Sequence, residues 1–163
     1  MALMCRLRQT RQSSQLLPEY SVIRTIQAPH HLMLVTDASG EWVLSSAAYS
    51  PSRDGFVSVD LEQLLIEDGL NAKFMYPAVN RSVAAATHTV SALQELNLAA
   101  VHDPIAKNWY HGGISGIDRS NRGREIRRQL AKTASFLIPI DQIEAQKFHD
   151  DADANGRSDI QSS

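Results

Sequence analysis

The chain predicts an α+β fold, a single domain with a largely antiparallel sheet of about five to six strands and two or three helices. Three observations carry this. Strand-like and helical segments are mixed without the regular strand–helix–strand alternation that a parallel sheet requires. Asp37-Ala38-Ser39-Gly40, a turn by Asx chemistry and a terminal glycine, stands between two short apolar runs and reads as a hairpin. Residues 122–134 read as the strongest helix, with Ile126, Leu130, Ala134 and Leu137 on one stripe and Pro139 enforcing its end.

In order, Glu19 to Gln27 alternates as a strand, with Tyr20, Val22, Arg24 and Ile26 on one face, and Pro29 breaks it. Leu32 to Thr36 and Glu41 to Ser46 form the hairpin, with Trp42 facing the core. A hydroxyl-rich loop leads to a short strand, Phe56 to Val59, and Asp60 is the expected N-cap of a helix over Leu61–Leu70. Ser82 to Thr89 could be helix by its alanines or strand by its Val and Thr. The strand is preferred, because Ser91 then caps a short helix through Leu96 that leads to a strand at Leu98–Val101. Trp109 to Ile114 is the next strand, and Ser120 or Asn121 caps the helix that follows. The expected organisation is a disordered basic arm over 1–17, one domain over 18–141 and a polar acidic tail over 142–163.

Composition excludes several function classes. With 43% hydrophobic and 21% charged residues the chain belongs with globular domains rather than disordered ones. A formal net charge of -2 argues against nucleic acid as a partner, because coating it needs clustered excess cation. No apolar run approaches the roughly 18 residues of a membrane span, so no membrane partner is expected. The one cysteine, Cys5, permits no disulfide within the chain, which fits a reducing cytoplasm. Arg6, Arg8 and Arg11, with no acid in the first seventeen residues, give the arm the composition of a transit peptide; it is read here as a disordered arm.

The stretch Ala99 to Gly116 holds the candidate chemistry. His102-Asp103 invites comparison with HD phosphohydrolases, whose metal-binding His-Asp pair sits on helices. Pro104 pushes Asp103 out of the helical region, and the flanks read as strand, so that comparison is rejected. A loop between neighbouring strands could bring His102 and His111 to one end of a sheet, where an imidazole serves as general base or ligand. Otherwise His111 is a packed ring satisfied by backbone. Gly112, Gly113 and Gly116 would leave amides bare to cradle phosphate beside Asp103, with Arg119, Arg122, Arg124, Arg127, Arg128 and Lys132 alongside. Asp151, Asp153, Asn155 and Asp159, with Gly156, resemble the calcium loop of FG-GAP repeats, although Ser162 stands where an EF-hand has glutamate. A solvated acidic tail is the preferred reading, and no cofactor is expected.

Two broader resemblances follow from the motifs. Ser45-Ser46-Ala47-Ala48-Tyr49, Ser58-Val59-Asp60, His102-Asp103-Pro104 and His111 look like a pattern in a group of small bacterial proteins; the resemblance implies a bacterial source and one compact domain, and carries no activity. Arg24 with Ser45 and Ser46 is similar to the first-strand and later-strand pair of ADP-ribosyltransferases, but no glutamate stands where the catalytic acid would be. The expected function is a cytoplasmic accessory domain that binds an acidic or phosphorylated protein partner or ligand through Gly112–Arg128. The alternative is an enzyme on a nucleotide-like substrate, with His102, His111, Arg24 and Ser46 as its catalytic set and Arg122 holding anions.

Overall fold

A computed structural model describes residues 16–37, 39–73 and 81–158. In chain order the elements are β1 (Ser21–Gln27), β2 (Leu32–Leu34), β3 (Trp42–Leu44), a 3₁₀ turn (Ser46–Tyr49), β4 (Val57–Leu61) and α1 (Glu62–Glu67). They continue with β5 (Ser82–Thr89), α2 (Val90–Glu95), β6 (Ala99–His102), β7 (His111–Ser115), α3 (Asn121–Thr133), β8 (Ser135–Ile138) and α4 (Gln142–Ser158). Six strands form one antiparallel sheet in the order β6-β7-β4-β1-β5-β8, and β2 and β3 form a separate hairpin. The domain is therefore α+β with an antiparallel sheet. Among the described residues, no helix is long and apolar enough to cross a membrane.

The register assigns side chains to faces, because directly paired residues in an antiparallel ladder point the same way. Val22 pairs with Leu61 and with His88, Arg24 with Ala86, and Ile26 with Ala84. Val59 pairs with Gly112, Val57 with Ile114, and Phe136 with Ala86. One face thus carries Val22, Ile26, Val57, Val59, Leu61 and Ile114, all buried. The 3₁₀ turn places Tyr49, fully buried, against it. The other face carries Ile23, Asp60 and His111 by the same parity.

Several elements differ from the sequence reading, each for a local reason. Asp60 is a residue of β4, not a cap; α1 starts after Leu61 with no side-chain cap. Thr89, not Ser91, caps α2: its Oγ1 accepts the Ala92 amide at 3.2 Å, while Ser91 Oγ meets that hydroxyl at 3.0 Å. The helical stripe stops at Leu130, because Ala134 turns extended (φ -58, ψ 133) and Leu137 belongs to β8. Residues 142–158, expected as a polar tail, are helix α4. Its Ala145 is buried, and its Asp141 cap accepts the Ile143 and Glu144 amides at 3.1 and 3.0 Å. Of the arm expected over 1–17, residues 1–15 lie outside the described residues.

Helix α3 begins on a tight polar seat. Ser120 Oγ accepts the Gly123 amide at 3.2 Å, and Asp118 Oδ1 accepts both the Ser120 amide and its hydroxyl. A Cβ at Gly123 would collide with the Asp118 carbonyl and side chain. Hydrogen bonding from Ser120 accordingly holds the Asp118 carboxyl below the usual range. In an open helix, Gly→Ala would stabilise by about 1 kcal/mol. Here Gly123→Ala is expected to lower stability by about 1–3 kcal/mol through overpacking. Urea denaturation reads the sign: a raised midpoint would show that the seat yields.

Candidate functional site

Arg24, expected on a strand and as a member of the catalytic set, is occupied by backbone. β1 and β4 are paired only at Val22–Leu61 and Ile23–Asp60. From there β4 gives its Ser58 carbonyl to Arg24 Nη1 at 2.8 Å instead of to a strand amide, and Arg24 Nε donates to Ala48 O at 2.9 Å. A planar fork with fixed donors suits two carbonyls from different segments. Burial lowers the Arg24 pKa, and the fields of Tyr49 and Asp60 oppose that. Beside it, His31 Nδ1 accepts the Gln27 amide at 3.1 Å, and its Nε2 lies 3.4 Å from Arg24 Nη2. Burial first, then Arg24 and His30, lower the His31 pKa to about 4. Tyr49 Oη and His88 Nε2 meet at 2.8 Å, and burial lowers the His88 pKa to about 4. This cluster is a half-buried polar scaffold whose guanidinium is engaged by backbone carbonyls.

The two loop histidines do not converge. His102 pairs with Gly112 across β6–β7, which puts it one pleat position from His111 and on the opposite face. His102 Nε2 meets the Trp109 carbonyl at 2.7 Å, and the two rings stack edge-on at 4.8 Å. His111 Nδ1 meets the Asp103 carbonyl at 2.7 Å, and Asp103 itself is exposed. Across β4–β7, His111 faces Asp60. Asn108 Nδ2 donates to Asp60 Oδ1 at 2.7 Å while its Oδ1 accepts the Tyr110 amide at 2.9 Å, which ties the loop to the sheet. Burial raises the Asp60 pKa; Asn108, His111 and Arg24 act against it. In the sequence Asp60 was read as a helix cap and Asn108 was not singled out, because a strand carboxylate and a loop amide carry no spacing signal.

The glycines are packing devices rather than an anion cradle. Gly112 and Gly113 lie in β7, between β4 and β6, so their backbone groups belong to ladders on both sides. A Cβ at Gly112 would strike the Val101 carbonyl and the Leu61 side chain, and one at Gly113 would meet Phe56 Cβ at 3.0 Å. Nor does the acidic stretch form a calcium loop. Asp151 and Asp153 lie two residues apart on α4, about 200° around the helix, so their carboxylates diverge. Asn155 belongs to the same helix, and Asp159 lies outside the described residues. Among the described residues, no group of three or more His, Cys, Asp or Glu could hold a metal ion.

What the fold does bring together is a cavity of about 620 Å³ between the β2–β3 hairpin, the 3₁₀ turn, the second half of α3 and β8. Met33, Trp42, Leu44 and Phe136 give it apolar walls; Arg128 and Lys132 supply cations, and Ser46 a hydroxyl. Ser46 and Arg128 were singled out in the sequence, whereas Met33 and Trp42 read there as hairpin residues, Trp42 facing the core, and Phe136 was not singled out. Arg122 and Arg124 stand exposed in the first turns of α3, and Ser45 accepts the Ala47 amide at 3.2 Å as the cap of the 3₁₀ turn. Met33 and Phe136 remain 53% and 40% exposed, which marks this as an open apolar surface.

The buried rings set an acid limit on the scaffold. His88 takes its proton near pH 6.5 when unfolded and near pH 4 when folded, so its stabilising contribution is complete above about pH 6.5 and is lost as pH falls toward 4. Each pH unit in that window costs up to about 1.4 kcal/mol for this ring, and His31 acts in the same direction. The urea midpoint is expected to fall between pH 7 and pH 5, and His88→Gln to shallow that fall. A midpoint indifferent to pH would mean the rings are protonated in place. Comparison of the chain with protein-family models, with curated proteins and with solved structures finds no match to any of them.

Proposed function

We propose that the domain is a binding module that holds an acidic or phosphorylated partner on the basic face of α3 and takes an apolar group of that partner into the adjoining cavity. The observation that carries this is the pairing of apolar walls with Arg128 and Lys132 in one cavity. Its volume falls within the range of ligand pockets, about 300–1,000 Å³. Helix α3 supplies the wider field: Arg122, Arg124, Arg127, Arg128 and Lys132 stand against one acid, Glu125. The Arg128–Glu125 contact, 3.5 Å between exposed side chains, is too weak to withhold Arg128 from a ligand. A bacterial cytoplasm is the proposed setting, supported by the single cysteine and the small-protein motif pattern.

The anionic fluorophore anilinonaphthalene sulfonate has the required chemistry, an aromatic body and a fixed negative charge. It is expected to bind the folded protein saturably and to quench Trp42, which lines the cavity. Combined Arg128→Glu and Lys132→Glu replacement should weaken it by about tenfold or more, since a hydrogen bond to a charged group is worth about 1.5–3 kcal/mol. Undiminished affinity in the folded charge-reversed variant would remove the basis of this reading.

A further inference from the structure

We propose that the partner is an extended peptide bearing acidic side chains, added as a further strand along the outer edge of β8 with one apolar side chain lowered into the cavity; this rests on the reading of the cavity and basic helix just given. β8 is an end strand of the sheet, and among the described residues no backbone group pairs with its outer edge. This fold closes another edge by a dedicated device: Gln142 Oε1 accepts the Trp42 amide at 2.7 Å and its Nε2 donates to the Trp42 carbonyl at 3.0 Å. That single side-chain amide stands in for a neighbouring strand on β3. No described side chain does the same for the outer edge of β8. Phe136 is on the face of Ala86, opens to solvent and lines the cavity, so a strand laid beside β8 would direct alternate side chains over the same hollow.

Charge selects the occupant. The helix that runs directly into β8 carries five cations and one acid, and two of those cations reach the cavity. A second copy pairing β8 against β8 would bring two such helices together, which like-charge repulsion opposes. A flat anionic membrane would engage protruding apolar side chains, whereas here Met33, Trp42 and Phe136 line a concavity. An acidic strand satisfies the backbone edge, the cations and the hollow at once.

The test uses the full chain and a fluorescein-labelled peptide of alternating glutamate and leucine with a central phenylalanine. Two further versions carry N-methyl groups on alternate amides, one in each phase. Strand addition predicts saturable binding of the parent, a loss of about tenfold or more in one methylated phase and retention in the other, because only one set of amides faces the edge. Amide hydrogen exchange over residues 135–138 should slow on binding. Equal binding of all three peptides would overturn strand addition and leave the cavity reading intact. Absence of binding by any of them, together with loss of the fluorophore site, would overturn both. Preference for phosphatidylserine vesicles, or a dimer whose β8 amides are protected without peptide, would assign the edge to a different occupant and overturn the proposal.

Discussion

Where β1 and β4 part company after Ile23, a central seam of the sheet leaves the Ser58 carbonyl without a strand amide from β1. Arg24 fills that seam, and its guanidinium joins β4 to the 3₁₀ turn through Ser58 O and Ala48 O. A buried cation costs free energy, and here burial visibly lowers its pKa. What offsets the cost is the alternative: the carbonyl of buried Ala48 without a donor, worth about 1–3 kcal/mol if left unsatisfied, while the bond to Ser58 O lies at the exposed side of the strand. Lysine could not replace it, having one compact ammonium where two carbonyls at different angles need a fork.

This interaction has consequences at a distance. By holding Ala48, it seats the 3₁₀ turn, which buries Tyr49 against the sheet and bonds it to His88. Ser46 opens that turn and contributes to the cavity, and α3 packs on the same turn. A polar cluster bonded to backbone therefore helps to position the helix that bears the cations. The scaffold and the surface meet in one element only four residues long.

The strands whose polarity alternates over many residues were legible in the sequence, as were Ser120 with its helix and the hairpin around residues 37–40. What escaped was decided by contacts distant in the chain. Ser135–Ile138 looked like the end of a helical stripe, because period alone does not separate a short strand from a helix terminus. Residues 142–158 looked like a tail because their composition is polar. Yet Ala145 is buried and Gln142 clamps Trp42, a hundred positions away. His102 and His111 were placed on neighbouring strands, as found, but their register sends the rings to opposite faces. A slip of one residue decides that, and loop length cannot. Arg24 was noticed for its charge, while its use by two carbonyls needed the seam to be seen.

The formal net charge of -2 hides a segregated distribution. Helix α3 carries five cations against one acid, so the rest of the chain taken together is net acidic even with its basic arm over 1–17. Among the described residues, a field of this shape favours a negative group along that helix, so the recognition proposed here would be local rather than general. On the proposed reading, the apolar walls beside those cations would discriminate between anions: a bare phosphate would gain from the charge alone, whereas an acidic segment with an aromatic or aliphatic side chain would gain from both. Selectivity of that kind needs the hollow and the helix held at a fixed separation, and the seam closed by Arg24 is what keeps the 3₁₀ turn between them in place.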